Sequence, residues 1–490
     1  MIHITRMKKI VAVALLLVFA SSCEDVLDES PYSEISDEQF WLNNGNAESG
    51  IAAIYDAMQK TYRTKHYLWG EFRGDSYIAS ATPTGEALEL LTNTLQPSSA
   101  GILRWNDLYQ MIGRANLAIE KIPQIPSYSQ SLLGEAYALR AYAYFDAVRV
   151  WGGVPLFTEA ISGLDQELIR AKTDGTTILN DVVIPDMLKA EELITQPANK
   201  FRFSKTSVWA FQADVYMYLK QFDKAKQVLD KIVASGEYRL TNDRQSWNDM
   251  FYNDPDFGGK IMEGPELMMS IRFSLTEDND RSGVFSLFFA GLPSYYIAPS
   301  LENKWIEKFP TDSALWVAKY PGFTPGGFEP DGTTLWGDWR YFDSREEGDP
   351  IGEARVAKYQ STNYSPSIDD TDIVLYRYAG ILLLLAEAEN QLGNKTAAVD
   401  LINQIRQARQ LPTVNEDDFA SVDELENFIL DERQLELLSE GKRWWDLIRT
   451  DKAVEVMGPI NGQTAETLLF PIFQDHLIDN PLLEQTPGYN

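Results

Sequence analysis

Two stretches, VWAFQADVYMYLKQFDKAKQVLDKIV (residues 208–233) and ILLLLAEAENQLGNKTAAVDLINQIR (residues 381–406), align without a gap at an offset of 173 residues. Ala213 falls on Ala386, Leu219 on Leu392 and Ala225 on Ala398, while Val228, Leu229 and Ile232 fall on Leu401, Ile402 and Ile405. Apolar residues at three- and four-residue spacing make one face of a helix. Each copy therefore predicts a helix, a tight turn and a second helix, with small residues where the pair cross.

That unit is the plan of a tetratricopeptide repeat, and such units need neighbours to bury their faces. Three earlier runs supply candidates: NAESGIAAIYDAMQKTY from Asn46, WNDLYQMIGRANLAIEKI over Trp105–Ile122, and LLGEAYALRAYAYFDAVRVWGGVP from Leu132. In the last, Ala136, Leu139, Ala143, Ala147 and Val150 define one face. Its alanines allow another helix to approach closely, and Gly152, Gly153 and Pro155 stop the run. Residues 237–372 read differently. GLPSYYIAPS and YPGFTPGGFEPDGTTLWGDWRYFDS are rich in Gly, Pro and aromatic residues, with little helical period beyond SLENKWIEKF. Long irregular stretches inside a folded chain are usually functional. The expectation is a mainly α protein with one domain over residues 46–490. Its tetratricopeptide-like helical half (about 46–236 and 373–450) packs against an irregular, loop-rich, ligand-binding half (about 237–372).

The N-terminal region predicts an export signal. Arg6, Lys8 and Lys9 precede an apolar run of about eleven residues, Ile10 to Ala20. A membrane span needs roughly 20, so the run fits the hydrophobic region of a secretory leader. Ala20, Ser21 and Ser22 then lead to Cys23, the one cysteine among 490 residues. Small residues ending at a cysteine resemble the lipobox of bacterial lipoproteins, with Ala20 in place of the usual leucine. An exported chain without disulfides has no structural use for a lone thiol. Residues 1–22 are therefore expected to be a signal peptide. Residues 23–45 are expected to be an acidic tether acylated at Cys23, and no later run reaches membrane length.

The formal net charge of −29 repels nucleic acid and leans against polyanionic ligands. Three histidines, His3, His66 and His476, leave little for a histidine-based triad or metal site. H-E-x-x-H, G-x-x-x-x-G-K-[ST] and G-x-S-x-G are all absent. DNDRSG (Asp278–Gly283) has the start of a calcium loop, but Phe289 stands where a bidentate Glu is needed. Neither it nor NDPD (Asn253–Asp256) is expected to bind a metal, and no cofactor is expected. A glycosidase needs only two carboxylates, so the residues alone leave hydrolysis open.

Binding has better candidates. Sugars present apolar C–H faces to aromatic rings and hydroxyls to planar polar side chains. HYLWGEFRGDSYIAS brings Trp69, Arg73, Asp75 and Tyr77 together, TTLWGDWRYF carries Trp336, Trp339 and Tyr341, and Tyr295 and Tyr296 precede a helix start near Ser300. Any single ring is more often a packing residue. In ILDERQLELLSEGKRWWDLIRT (Ile429–Thr450), Arg433 with Glu436 and Asp446 with Arg449 are i,i+3 neighbours. Such pairs are worth about 0.2–0.5 kcal/mol each, and the block is expected to be structural. Gly441 should break it, and Trp444 and Trp445 should anchor the following helix.

Several ordered blocks resemble the SusD/RagB family. GEAYALRAYAYFDAVRVWGGVPLFTE (Gly134–Glu159) is similar to its first signature. VAKY (Val356–Tyr359) with YRYAGILLLLAEAENQLGN (Tyr376–Asn394), Ile429–Thr450, and the terminal NPLLEQTPGYN follow in the family's order. The resemblance covers the mature chain. It implies a non-enzymatic, nutrient-binding lipoprotein of the bacterial outer membrane, anchored through Cys23 and facing outward. It also implies a partner, a SusC-like TonB-dependent transporter, that receives a captured glycan or, in some members, a peptide.

Overall fold

A computed structural model describes residues 40–161, 166–251, 253–254, 259–260, 263–274, 281–288, 293–328, 331–359 and 369–489. The leader, the tether through Gln39 and Cys23 lie outside these residues, as do half of DNDRSG and part of NDPD.

Helices dominate. Among them, in chain order, are α1 (Asn44–Gly70), α2 (Asn106–Lys121), α3 (Gln130–Trp151), α4 (Ile184–Leu193), α5 (Lys205–Tyr218), α6 (Phe222–Ser235), α7 (Pro299–Lys308), α8 (Ser313–Lys319), α9 (Trp339–Ser344), α10 (Tyr378–Gln391), α11 (Lys395–Ala408), α12 (Val422–Glu436) and α13 (Arg443–Arg449). Consecutive packing runs α1 on α2, α2 on α3, α3 on α4, α4 on α5 and α5 on α6. It then continues from α6 to α10, and from α10 to α11 and α12. The stack is thus one array, broken in sequence between α6 and α10 but not in space.

The 173-residue offset is reproduced by the elements. α5 and α10 begin and end at equivalent positions, and so do α6 and α11. Ala213, Ala225, Ala386 and Ala398 are fully buried at the crossings. The turns match as well: Lys220 has φ 56° where its counterpart Gly393 has φ 81°. α3 departs from expectation in one respect. Its predicted face is buried, but so are Tyr142, Tyr144 and Phe145 around it, because neighbours enclose the helix on all sides. It stops at Gly152, with φ 75°.

Between α6 and α10 the chain forms short helices and short paired strands. Strands β1 (Tyr77–Ala79) and β3 (Tyr295–Ile297) pair antiparallel, with Ile78 opposite Tyr296. Strands β2 (Leu267–Ile271) and β4 (Ile373–Arg377) pair likewise. Pro299 opens α7 at its first turn, where a missing N–H costs nothing.

The C-terminal block joins these parts. α12 ends at Glu436, and a turn with Ser439 (φ 65°) and Gly441 (φ 69°) leads into α13, where Trp444 and Trp445 are buried. Glu71 holds the turn, accepting from the N–H of Ser439 at 3.2 Å and of Lys442 at 2.9 Å. Burial nevertheless pushes the Glu71 carboxyl up to about 7. The ion pairs differ from the expected local ones. Arg433 donates to Asp446 at 2.9 Å, not to Glu436. The Glu436 carboxylate accepts instead from Arg340 at 2.6 Å, Arg377 at 2.6 Å and Arg409 at 2.7 Å. These three arginines come from α9, β4 and the end of α11, and all four side chains are at most 1% exposed. Asp446 does pair with Arg449, at 2.9 Å. Because α12 ends at Glu436, Glu440 lies beyond it and binds Lys358 and Arg377. One carboxylate thereby ties the interrupted array to the chain that interrupts it.

Candidate functional site

The β1/β3 ribbon brings two of the predicted clusters together. Side chains alternate across a strand, and the alternation divides them. Tyr77 and Tyr295 point inward. The Tyr295 ring stacks on Phe72 with centroids 3.6 Å apart, and the Tyr77 hydroxyl meets Ser439 Oγ at 2.7 Å. Ile78 and Tyr296, one residue along each strand, are half-exposed on the opposite face.

Most of the other predicted residues are core. Trp69 is 1% exposed. Its Nε1–H donates to the Ile102 carbonyl at 2.9 Å, and its ring meets Tyr62 and Trp151 edge-on. Arg73 is sandwiched between Trp444 and Phe470, 4.5 and 4.7 Å from their centroids, and donates to the Leu468 carbonyl and to Gln463. Trp339 packs edge-on against Trp247. Tyr341 packs against Trp305, with its hydroxyl 3.5 Å from Glu302. These side chains do not face solvent here, for the physical reason that applies to most large rings: their area is spent on packing. Asp75 is half-buried and makes a two-point ion pair with Arg443, at 2.6 and 3.0 Å. Trp336 is half-exposed and follows the hairpin that carries Phe328, itself 60% exposed.

The sequence reading missed Arg355, which lies near Tyr296, and the two carboxylates paired with it, Asp349 and Glu346. The segment 345–356 runs beside β3, fixed by the Ile297 N–H donating to the Ala354 carbonyl at 2.9 Å. It carries Arg355, which pairs with Asp349 at 3.0 Å and Glu346 at 3.7 Å and keeps about a quarter of its side chain exposed. Its hydrogen bond to Asp349 holds the guanidinium above its ordinary range, and the charges of Glu346 and Tyr296 add to that field. Buried Glu302 on α7 positions the segment, accepting from Arg345 at 3.0 Å and from the Gly352 N–H at 2.9 Å. The run EEGDPIGEAR offered only turn chemistry, so no pattern marked these residues as partners of a tyrosine fifty positions earlier. The surface presents one aromatic ring beside a guanidinium and two carboxylates. It can cover an apolar ligand face and hydrogen-bond hydroxyls. Among the described residues no group of three or more His, Cys, Asp and Glu is arranged for a metal, and no helix is long and apolar enough to cross a membrane.

Known proteins resemble the chain over most of its length. A family described as "SusD family" matches residues 340–489, and one described as "Starch-binding associating with outer membrane" matches residues 25–217. A SusD-like protein of Formosa agariphila is 51% identical over 484 residues, covering 96% of each chain. Among solved structures, NanU of B. fragilis superposes with a TM-score of 0.72 at 22% identity, over 94% of this chain and 100% of its own. A structure described as a laminarin-binding SusD-like protein superposes with a TM-score of 0.68 at 20% identity, over 91% of this chain and 100% of its own. With half of its residues shared over nearly the full length of a SusD-like relative, and with the fold of that superfamily, the chain belongs to the SusD/RagB family.

Proposed function

We propose that the protein captures a glycan at the cell surface and passes it, unbroken, to a SusC-like TonB-dependent transporter. The observation that carries this reading is the outward Tyr296 ring set beside Arg355, Asp349 and Glu346. A sugar ring needs an aromatic face and planar polar groups together. Trp336 and Phe328 provide a second exposed aromatic edge on the same irregular half. The family description ties such proteins to starch and the outer membrane. One structural relative is described as binding laminarin.

Cys23 is proposed as the lipid attachment site that holds the protein outside the outer membrane. A Cys23→Ser form that still partitions with membranes would contradict the anchor.

The binding test is affinity electrophoresis of a soluble form starting at Glu24, through gels containing starch, laminarin and other polysaccharides. Retardation by at least one glycan, lost in Tyr296→Ala and in Arg355→Ala, is the expected result. Retardation unchanged in both variants overturns the site. New reducing ends appearing on a bound polysaccharide would instead make the protein a hydrolase. Failure with every glycan alongside binding of peptides would make it a peptide-capturing member of the family.

A further inference from the structure

The helical half carries a second concave surface, far in sequence from Tyr296. A cleft of about 210 Å³ opens between the start of α2, the segment after α3, and the helix Gln474–Asp479. One water needs only about 10–15 Å³, so a sugar ring has room. Its walls are aromatic. Half-buried Tyr109 and Phe157 meet edge to face with centroids 6.2 Å apart. Trp105 lies flat on the His476 imidazole, at 4.5 Å and 6° between planes. Leu168 stands on the lining with 44% exposure.

Two polar groups point to the kind of ligand. The Trp105 backbone N–H donates to His476 Nε2 at 3.2 Å. The ring proton of neutral His476 is therefore on Nδ1, where it is a donor without a hydrogen-bond partner among the described residues. Burial lowers the His476 imidazole to about 4, so the ring stays neutral at ordinary pH. Asp479 is one turn along the same helix. It is exposed and makes no hydrogen bond or ion pair among the described residues. It is the one formally charged side chain lining the cleft; the Arg170 guanidinium, 4.3 Å from the Phe157 ring, is paired with Glu159. Aromatic walls with one free donor and one free carboxylate acceptor match the faces and hydroxyls of a neutral pyranose.

We propose that this cleft is a second carbohydrate subsite, taking one neutral sugar ring between Tyr109, Phe157, His476 and Asp479. The proposal rests on the reading that the protein binds glycans, and it adds a contact point on the helical half. A long chain held at both points gains through effective concentration.

The test is saturation-transfer NMR with glucose, galactose, mannose, xylose and fucose, on the wild type and on Leu168→Arg, Asp479→Ala and Tyr296→Ala. Leu168 and Asp479 are exposed, so both variants should fold, and thermal melts check this. At least one sugar is expected to bind in the millimolar range. In the Tyr296→Ala background, Leu168→Arg sets a guanidinium over the cleft beside Asp479 and should weaken that binding about tenfold or more, a change of about 1.4 kcal/mol or more, as should Asp479→Ala. Tyr296→Ala should leave a residual signal that Leu168→Arg removes. Monosaccharide binding that, in the Tyr296→Ala background, survives Leu168→Arg and Asp479→Ala overturns the proposal. Retardation by a polysaccharide with no monosaccharide signal overturns the subsite and leaves glycan capture standing. Absence of both overturns both.

Discussion

Replacing Glu436 by Gln tests what the C-terminal block does. If this carboxylate made only a local pair on a helix surface, its loss would cost about 0.2–0.5 kcal/mol. The structure places it at 0% exposure among three guanidinium groups that approach within 2.6–2.7 Å. Burial alone would push its carboxyl up, but Arg409, Arg377 and Arg340 overcome that and hold it well below the usual range. Removing one partner of a buried ion pair typically costs about 3–5 kcal/mol, because the opposing charge is left uncompensated. Here the remaining arginines keep Asp338, Glu266 and Glu440 as partners, and Gln still offers one acceptor, so about 3 kcal/mol is expected. The assay is urea unfolding at pH 7, comparing midpoints at a shared slope. The double variant Glu436→Gln, Arg409→Met should recover part of the loss, because it removes a stranded cation. A cost below about 0.5 kcal/mol, or strict additivity in that cycle, would refute the account of Glu436 as the tie between the two halves. The sign with pH also follows. A carboxyl lowered on folding contributes stability above its unfolded value, near 4.5, and that stability is lost as pH falls toward its folded value. The wild type should therefore be acid-labile, and Glu436→Gln less steeply so.

Three further outcomes are expected. Glu71 has the opposite sign: raised to about 7 on folding, it favours the folded state below pH 4.5 and loses that contribution as pH rises to 7. Glu71→Gln should flatten the melting temperature between pH 5 and 7.5, and an unchanged slope would refute the assignment. Gly393→Ala should cost about 1 kcal/mol from backbone alone, because its φ is 81° and a Cβ there meets nothing within 4 Å. The matching Lys220→Gly should be neutral or mildly stabilising, and denaturant midpoints measure both. Trp69→Ala should destabilise by about 3–5 kcal/mol, whereas Tyr296→Ala should shift stability by less than about 0.5 kcal/mol while abolishing retardation. The reverse pattern would return Trp69 to the ligand.

The helical half was legible because period and repeat survive in the residues themselves. The offset of 173 reproduces helix ends, crossing alanines and even the left-handed turn position. The interruption was legible as composition, from its Gly, Pro and aromatic residues. The direction of each ring was not. Tyr295 and Tyr296 are identical neighbours, and only the pairing of β3 with β1 sends one inward and the other out. The ionic block failed for a related reason. Spacing showed that Arg433 and Glu436 lie three apart, but not that α12 ends between its charges, nor that three arginines arrive from α9, β4 and α11. Arg355, Asp349 and Glu346 were invisible because nothing local distinguishes a charge near an outward ring from one in a turn.

The contacts between α1 and the C-terminal block constrain how the chain is assembled. Gly70, closing α1, sits against Gly441 and Trp445, where any added Cβ would come within 2.1 Å of the Gly441 carbonyl. Near it, His66 Nε2 donates to the Glu440 carbonyl at 2.9 Å. α1 is thus finished by residues about 370 positions later. Partners so remote pair slowly, since a long loop must close before the contact repays it. A chain made from its N-terminus must hold α1 half-covered until almost the whole polypeptide is available. Early truncation products expose that apolar flank, which makes them natural clients for holding chaperones and proteases.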